Sequence, residues 1–280
     1  MSFALGVLLV VLVFWLAGSA SAVLTDDLDL ISIAHASVLG TGAYTYGILT
    51  REGLSAVPSA VGALTACAVL GLAVTFLSRR LVGEDFALAT FAFQLVWFTV
   101  VSNLDALTGG PLGISGIPGF DVSALPLGEV EPVTVIAAAA VVGAGWVSSG
   151  MSKGAFGTGL ATYRRSRELS YGLGLPVNTM LTKVGLLYGV GVGGAGVLYA
   201  QHLSFIDPTL FGTWISVEVL AVALFGTSRL GHWGVGLGAF VLVGVPELLR
   251  LTGLGASRAN GLKMLLGGVA VVLVGLRSLG

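Results

Sequence analysis

Glu218 stands in the run GTWISVEVLAVALFG with several apolar neighbours on each side. An ionisable side chain at membrane depth costs on the order of 3 kcal/mol or more unless it faces protein or water, so this carboxyl must point inward. Two readings stay open for it: a pathway or gating residue, or a protonated or hydrogen-bonded structural group. His35, in SIAHASVLGTGAYTYG, poses the same alternative, with Ser32, Ser37 and Thr41 on nearby turns. Gln94, Asn103 and Asp105 lie along or at the end of one apolar run, where amide and acid side chains hydrogen-bond between helices. The three histidines, His35, His202 and His232, fall in separate segments without zinc-site spacing, and the single cysteine, Cys67, sits inside an apolar run. LTGGPLGISG is glycine-rich, yet it lacks the Lys and Ser/Thr that finish a Walker loop and has no βαβ unit around it. No partnered catalytic triad is visible. The expectation is a chain that is not an enzyme, with no catalytic residue, metal or cofactor.

The elements that must position these groups follow from composition. Of 280 residues 55% are hydrophobic and only 10% charged, with a mean hydropathy of +0.98. Soluble domains carry about a quarter of their residues as charges, so this is an integral membrane protein. Its net charge of −1 argues against a nucleic-acid partner and leaves membrane lipid as the surroundings. Apolar runs long enough to cross a bilayer fall near 4–23, 57–78, 86–104, 132–151, 181–203, 232–249 and 262–279. Two more, 30–50 and 212–228, are interrupted by Gly, Ser, His or Glu. The expected fold is all-α, a single polytopic bundle over 1–280 with about eight or nine membrane helices. The first run ends in AGSASA, like a signal-peptidase site, but no Lys or Arg precedes its apolar core, so retention is expected. The 43 glycines recur at small-residue spacing in LLYGVGVGGAGVLYA and LGHWGVGLGAFVLVG, which suits closely packed helices.

Orientation comes from the basic loops. SRRLVGED and SKGAFGTGLATYRRSRELSYG hold six of the 13 basic residues, and the two spans between them bring both to one face, the cytoplasmic one. The second loop, in 152–180, reads as a short helix closed by a Gly-Leu-Pro stop, able to lie on the membrane or meet another protein. The stretch LTGGPLGISGIPGF, 107–120, then lies on the outer face. Without charge, it can turn back into the bundle where protein or water satisfies its backbone, with Ile114, Ile117 and Pro118 as an apolar lining, or remain a loop of turns.

Five stretches stand in a familiar order: ISIAHASVLGTGAYTYGIL, LTGGPLGISGIP, FGTGLATYRRSRELSYGLGLPV, GGAGVLYA and PTLFGTWISVEVLAVALFGTSRLGHWGVGLGA. Together they resemble the LivM-type permease of ABC importers for branched-chain amino acids, with relatives that take urea or short amides. The resemblance implies a prokaryotic inner-membrane subunit that pairs with a second, LivH-type permease. It implies two ATP-binding subunits on the cytoplasmic face and an extracytoplasmic solute-binding protein. It makes the short helix a coupling helix carried by Arg164, Arg165, Arg167, Glu168, Leu173 and Gly174. Of these, Arg164, Leu173 and Gly174 match the family's pattern, whereas Arg165 and Arg167 stand where acidic residues are usual, which implies a more acidic partner groove. TDDLDL replaces the family's Gly and Gln-rich approach to His35. The pathway and gating residues would be His35, Ser32, Glu218, Gly109, Gly110, Gly113 and Ile114, working by alternating access without chemistry in this chain. The rival from another class is a stand-alone ion-coupled secondary transporter or channel. It would use 30–50 and 212–228 as paired broken helices, with His35 and Glu218 carrying protons.

Overall fold

The computed structural model describes residues 3–120, 132–151, 154–225, 231–250, 261 and 268. Among these, six helices are long and apolar enough to cross a bilayer: Ala4–Asp27, Ala56–Leu77, Gly83–Asn103, Pro132–Met151, Val177–Leu203 and His232–Leu249. The first joins α1 (Phe3–Ala22) to a π-helical turn, Val23–Asp27. The next four are α3, α4, α6 and α9. The last joins α11 (His232–Ala239) through a second π turn, Phe240–Gly244, to α12 (Val245–Arg250). Two interrupted segments make shorter helices, α2 (His35–Arg51) and a 3₁₀ turn at Pro208–Phe211 followed by α10 (Thr213–Leu224). Six long and two short segments are therefore seen of the eight or nine expected. The run 262–279 and most of the basic stretch 250–263 lie outside the described residues.

α1 and α9 are mostly buried, whereas α3, α4 and α6 present most of their surface outward. Lipid tails are as apolar as leucine, so close van der Waals packing must hold such a bundle together. The glycines supply it. A Cβ on Gly42 of α2 would collide with the Gly193 carbonyl of α9, and one on Gly189 of α9 would collide with the Cys67 carbonyl of α3. Small residues at these crossings bring three backbones into direct contact.

The two ends differ. At one, Arg79 and Arg80 follow α3, and two short helices, α7 (Gly154–Arg165) and α8 (Arg167–Gly172), lie between α6 and α9. The sequence pattern suggested one helix here. Ser166 breaks it, with extended backbone (φ −157°, ψ 116°) and a hydroxyl that accepts the Leu169 N–H at 3.2 Å, an N-cap that starts α8 afresh.

At the opposite end the glycine-rich stretch folds as α5 (Asp105–Thr108), a 3₁₀ turn at Gly110–Leu112 and β1 (Ile114–Ser115). β1 pairs antiparallel with β2 (Phe205–Ile206), Ile114 opposite Ile206 and Ser115 opposite Phe205. Gly113 makes this possible. Its backbone (φ 69°, ψ −163°) lies in a region open almost only to glycine, and a Cβ would strike the Ile206 carbonyl.

Candidate functional site

A helix that starts inside a membrane leaves its first N–H groups without intrahelical partners, and lipid cannot satisfy them. α2 starts this way. After the π turn the chain leaves the helix at Leu28, passes Asp29 at a positive φ of 56° and re-enters a helix only at His35. Four side chains complete the turn. The Ile33 N–H donates to Thr90 Oγ1 at 3.0 Å, Ala34 to Ser32 Oγ at 3.2 Å, Ala36 to Ser216 Oγ at 2.8 Å and Ser37 to Gln94 Oε1 at 2.7 Å. Gln94 Nε2 in turn donates to the Phe211 carbonyl at 2.9 Å. A single amide on α4 thus ties the start of α2 to the 3₁₀ turn before α10.

His35 is fully buried beside this junction. Its Nδ1 lies 3.0 Å from the Tyr188 hydroxyl of α9 and 3.2 Å from Ser21 Oγ of α1, and the Tyr188 ring meets it edge-on. Its Nε2 is buried without a hydrogen-bond partner among the described residues. Ser32 is buried too, and its hydroxyl accepts the Ala34 N–H. Glu218 is buried one short step along α10 from Ser216, within electrostatic range of the Tyr199 hydroxyl. His35, Ser32 and Ser216 therefore share one junction.

Gly109, Gly110, Gly113 and Ile114 belong instead to the cap at the end opposite α7 and α8. There the Tyr46 hydroxyl donates to the Pro118 carbonyl at 2.7 Å and Arg51 Nη2 to the Leu107 carbonyl at 3.0 Å. Ile114 and Ile117 are buried in the cap, while Pro118 is exposed. The structure does not bring these residues to His35.

The α7–α8 pair has two faces. Arg164 Nη1 donates to the Asp26 carbonyl at 2.8 Å, at the end of the first span, and Arg167 Nη1 donates to the Ser78 carbonyl at 2.6 Å, just past the end of α3. The Arg167 guanidinium also lies 5.3 Å over the ring of buried Tyr163. Burial raises the Tyr163 hydroxyl above its ordinary pKa, and the Arg167 charge opposes that shift. Arg165, Glu168, Leu169, Leu173 and Gly174 face outward. Sequence reasoning grouped Arg164, Arg165 and Arg167 together; the geometry separates them. It also missed Thr90, Ser21 and Tyr188, whose spacing carries no signal, and Ser216, which two residues before Glu218 was in view.

The family of branched-chain amino acid transport system permease components matches residues 3–275. This chain belongs to that family. The high-affinity branched-chain amino acid transport system permease protein LivM of Salmonella typhimurium LT2 is 26% identical over 248 residues, covering 79% of this chain and 57% of that one. LivM of Escherichia coli K12 matches with the same identity and coverage. The chain thus spans little more than half the length of these relatives. No solved structure matches. As a member of this permease family with several membrane-crossing helices, the chain is a multi-pass protein of the bacterial inner membrane.

Proposed function

We propose that this permease-family chain forms one half of an ATP-driven import pathway for branched-chain or other apolar amino acids. It pairs with a second, LivH-type permease, with two ATP-binding subunits at the α7–α8 end and a solute-binding protein at the cap. The observation that carries the reading is the two-faced α7–α8 pair. An outward face of Arg165, Glu168, Leu169 and Leu173 suits a partner, while two arginines fasten the same helices to backbone carbonyls at the ends of the first span and of α3.

Such fastening gives a push on the α7–α8 pair two routes into the bundle. Through Arg167 it reaches α3. Through Arg164 it reaches the π turn of the first span, and from there the coil that leads to His35 and the Gln94 junction. In this reading the junction, built from a few side-chain hydrogen bonds between broken helices, is the switching element that ATP binding at one end and solute arrival at the other both bias.

The test is to purify the tagged chain from its native membrane in mild detergent and identify its companions. A second permease and ATP-binding chains supports the importer. A lone chain, or a homo-oligomer stable to gentle crosslinking, overturns it in favour of the ion-coupled carrier.

A further inference from the structure

α9 carries a single Lys, Arg, Asp or Glu among its 27 residues, Lys183, six residues in from the helix start at Val177. That is about 9 Å along the axis. Lys183 does not point into the bundle: with Leu186 and Val190 it forms one exposed face of the span. A cation on the lipid side of a span is costly unless its ammonium reaches an anion at the headgroup level. The side chain borders a groove of about 650 Å³ between α6, α9 and the start of α7, where Trp146, Ser149, Met151, Phe156 and Leu187 make the walls. Trp146 is 80% exposed and stands five residues before the end of α6, so it and Lys183 both lie within two turns of the same end of the bundle. An exposed tryptophan beside a lysine marks the headgroup boundary of a bilayer. Lys183 Nζ lies 5.0 Å over the Phe156 ring, which joins α9 to α7. α7 opens at Gly154, two residues before Phe156, so the positive end of its dipole adjoins the groove as well. Among the described residues no acid lines it.

We infer that this groove binds an anionic phospholipid of the inner leaflet, with its phosphate on the Lys183 ammonium and one acyl chain against α6 and α9. Charge selects the occupant. A lipid phosphate neutralises Lys183 where it stands, whereas a protein neighbour would bury the ammonium and would have to bring a carboxylate of its own. A zwitterionic lipid carries its own cation beside the phosphate and gains less. The groove is open on its bilayer side, as a site filled from the membrane must be, and Met151, Phe156 and Leu187 give the chain apolar walls. Because Phe156 belongs to α7, the bound lipid also braces the α7–α8 pair against α9. The inference is independent of the importer reading: it needs only a chain that spans the membrane with this end in the cytoplasm.

Trp146 reports the occupant. The chain, purified with the companions it keeps in mild detergent, is placed in vesicles of equal parts phosphatidylcholine and phosphatidylglycerol, with brominated acyl chains on one lipid at a time. The difference between wild type and Trp146→Phe isolates the quenching of this ring from that of the other tryptophans. Brominated phosphatidylglycerol is expected to quench Trp146 with about fivefold greater apparent affinity than brominated phosphatidylcholine, the preference that one lysine near an anionic headgroup supplies. Lys183→Gln abolishes the preference and Lys183→Arg keeps it. Ser149→Glu, which sets an acid in the wall, also abolishes it and reads the same question if Lys183→Gln fails to insert. Equal quenching by the two lipids in wild type, or an undiminished preference in Lys183→Gln, overturns the site. Quenching by neither lipid overturns it too, because a protein neighbour then covers the groove.

Discussion

Gln94 and Ser37 are joined twice: the Gln94 amide oxygen accepts both the Ser37 backbone N–H, at 2.7 Å, and the Ser37 hydroxyl. Because the amide nitrogen also holds the Phe211 carbonyl, this side chain links two helices that both begin within the bundle. The Ser216 hydroxyl also donates to the amide oxygen, at 3.4 Å, so Gln94→Leu keeps the volume and removes four bonds. Each buried group left unpaired costs about 1–3 kcal/mol in soluble proteins, and about 0.6 kcal/mol is the average for a side-chain hydrogen bond in membranes. Gln94→Leu should therefore lower the thermal midpoint of the purified chain by several degrees, and uptake with it. Equal midpoints for wild type and variant would remove Gln94 as the pin of the junction.

Arg164 and Arg165 are neighbours with different surroundings: Arg164 Nη1 donates to the Asp26 carbonyl, whereas Arg165 faces outward. Arg164→Met and Arg167→Met cut the bonds to Asp26 and Ser78 and leave the outward face intact. They should leave the ATP-binding subunits attached and hydrolysing while uptake falls about tenfold, the size of effect a lost charge-assisted bond of 1.5–3 kcal/mol allows. Arg165→Glu and Leu173→Asp should instead release those subunits in a pull-down. If all four variants behave alike, the two faces are not functionally distinct.

Much of this arrangement was legible in the sequence, for a physical reason. A membrane span must bury its backbone in a helix and cover it with apolar residues, so its length and composition appear directly in the chain. Pro132–Met151 and His232–Leu249 fall where the apolar runs 132–151 and 232–249 placed them. Gln94 was readable as an interhelical group because an amide at that depth needs a partner. What could not be read were the partners themselves. Ser216 is 122 residues from Gln94 and Tyr188 is 153 from His35, and nothing in the spacing of such residues links them. The break at Ser166 was hidden because an N-cap serine inside a helical run looks like any exposed serine. The division between Arg164 and Arg165 depends on where the first span ends, which is a tertiary fact.

His35 and Glu218 decide between the two transport classes. His35 sits on the Ser21 and Tyr188 hydroxyls in a fully buried position, as a structural imidazole would. With ATP supplied, uptake by the assembled protein should persist when a protonophore abolishes the proton gradient, and Glu218→Gln should retain it. Loss of uptake on adding the protonophore would return both residues to the role of proton carriers.

Gly113 and Gly116 separate backbone strain from collision. Both have positive φ, 69° and 75°, but a Cβ on Gly113 would strike the Ile206 carbonyl, whereas one on Gly116 meets nothing within 4 Å. Gly116→Ala should cost roughly 1–2 kcal/mol, the price of the left-handed conformation alone. Gly113→Ala must in addition part β1 from β2, in a region of backbone space that adds about 1–3 kcal/mol of its own. Limited proteolysis of the cap in detergent measures the difference: Gly113→Ala should be cut between 104 and 120 well before Gly116→Ala, which should stay close to wild type. The reverse order would mean that the β1–β2 pairing does not hold the cap. The bonds from Tyr46 to Pro118 and from Arg51 to Leu107 would then have to hold it, and Tyr46→Phe would become the variant that opens it.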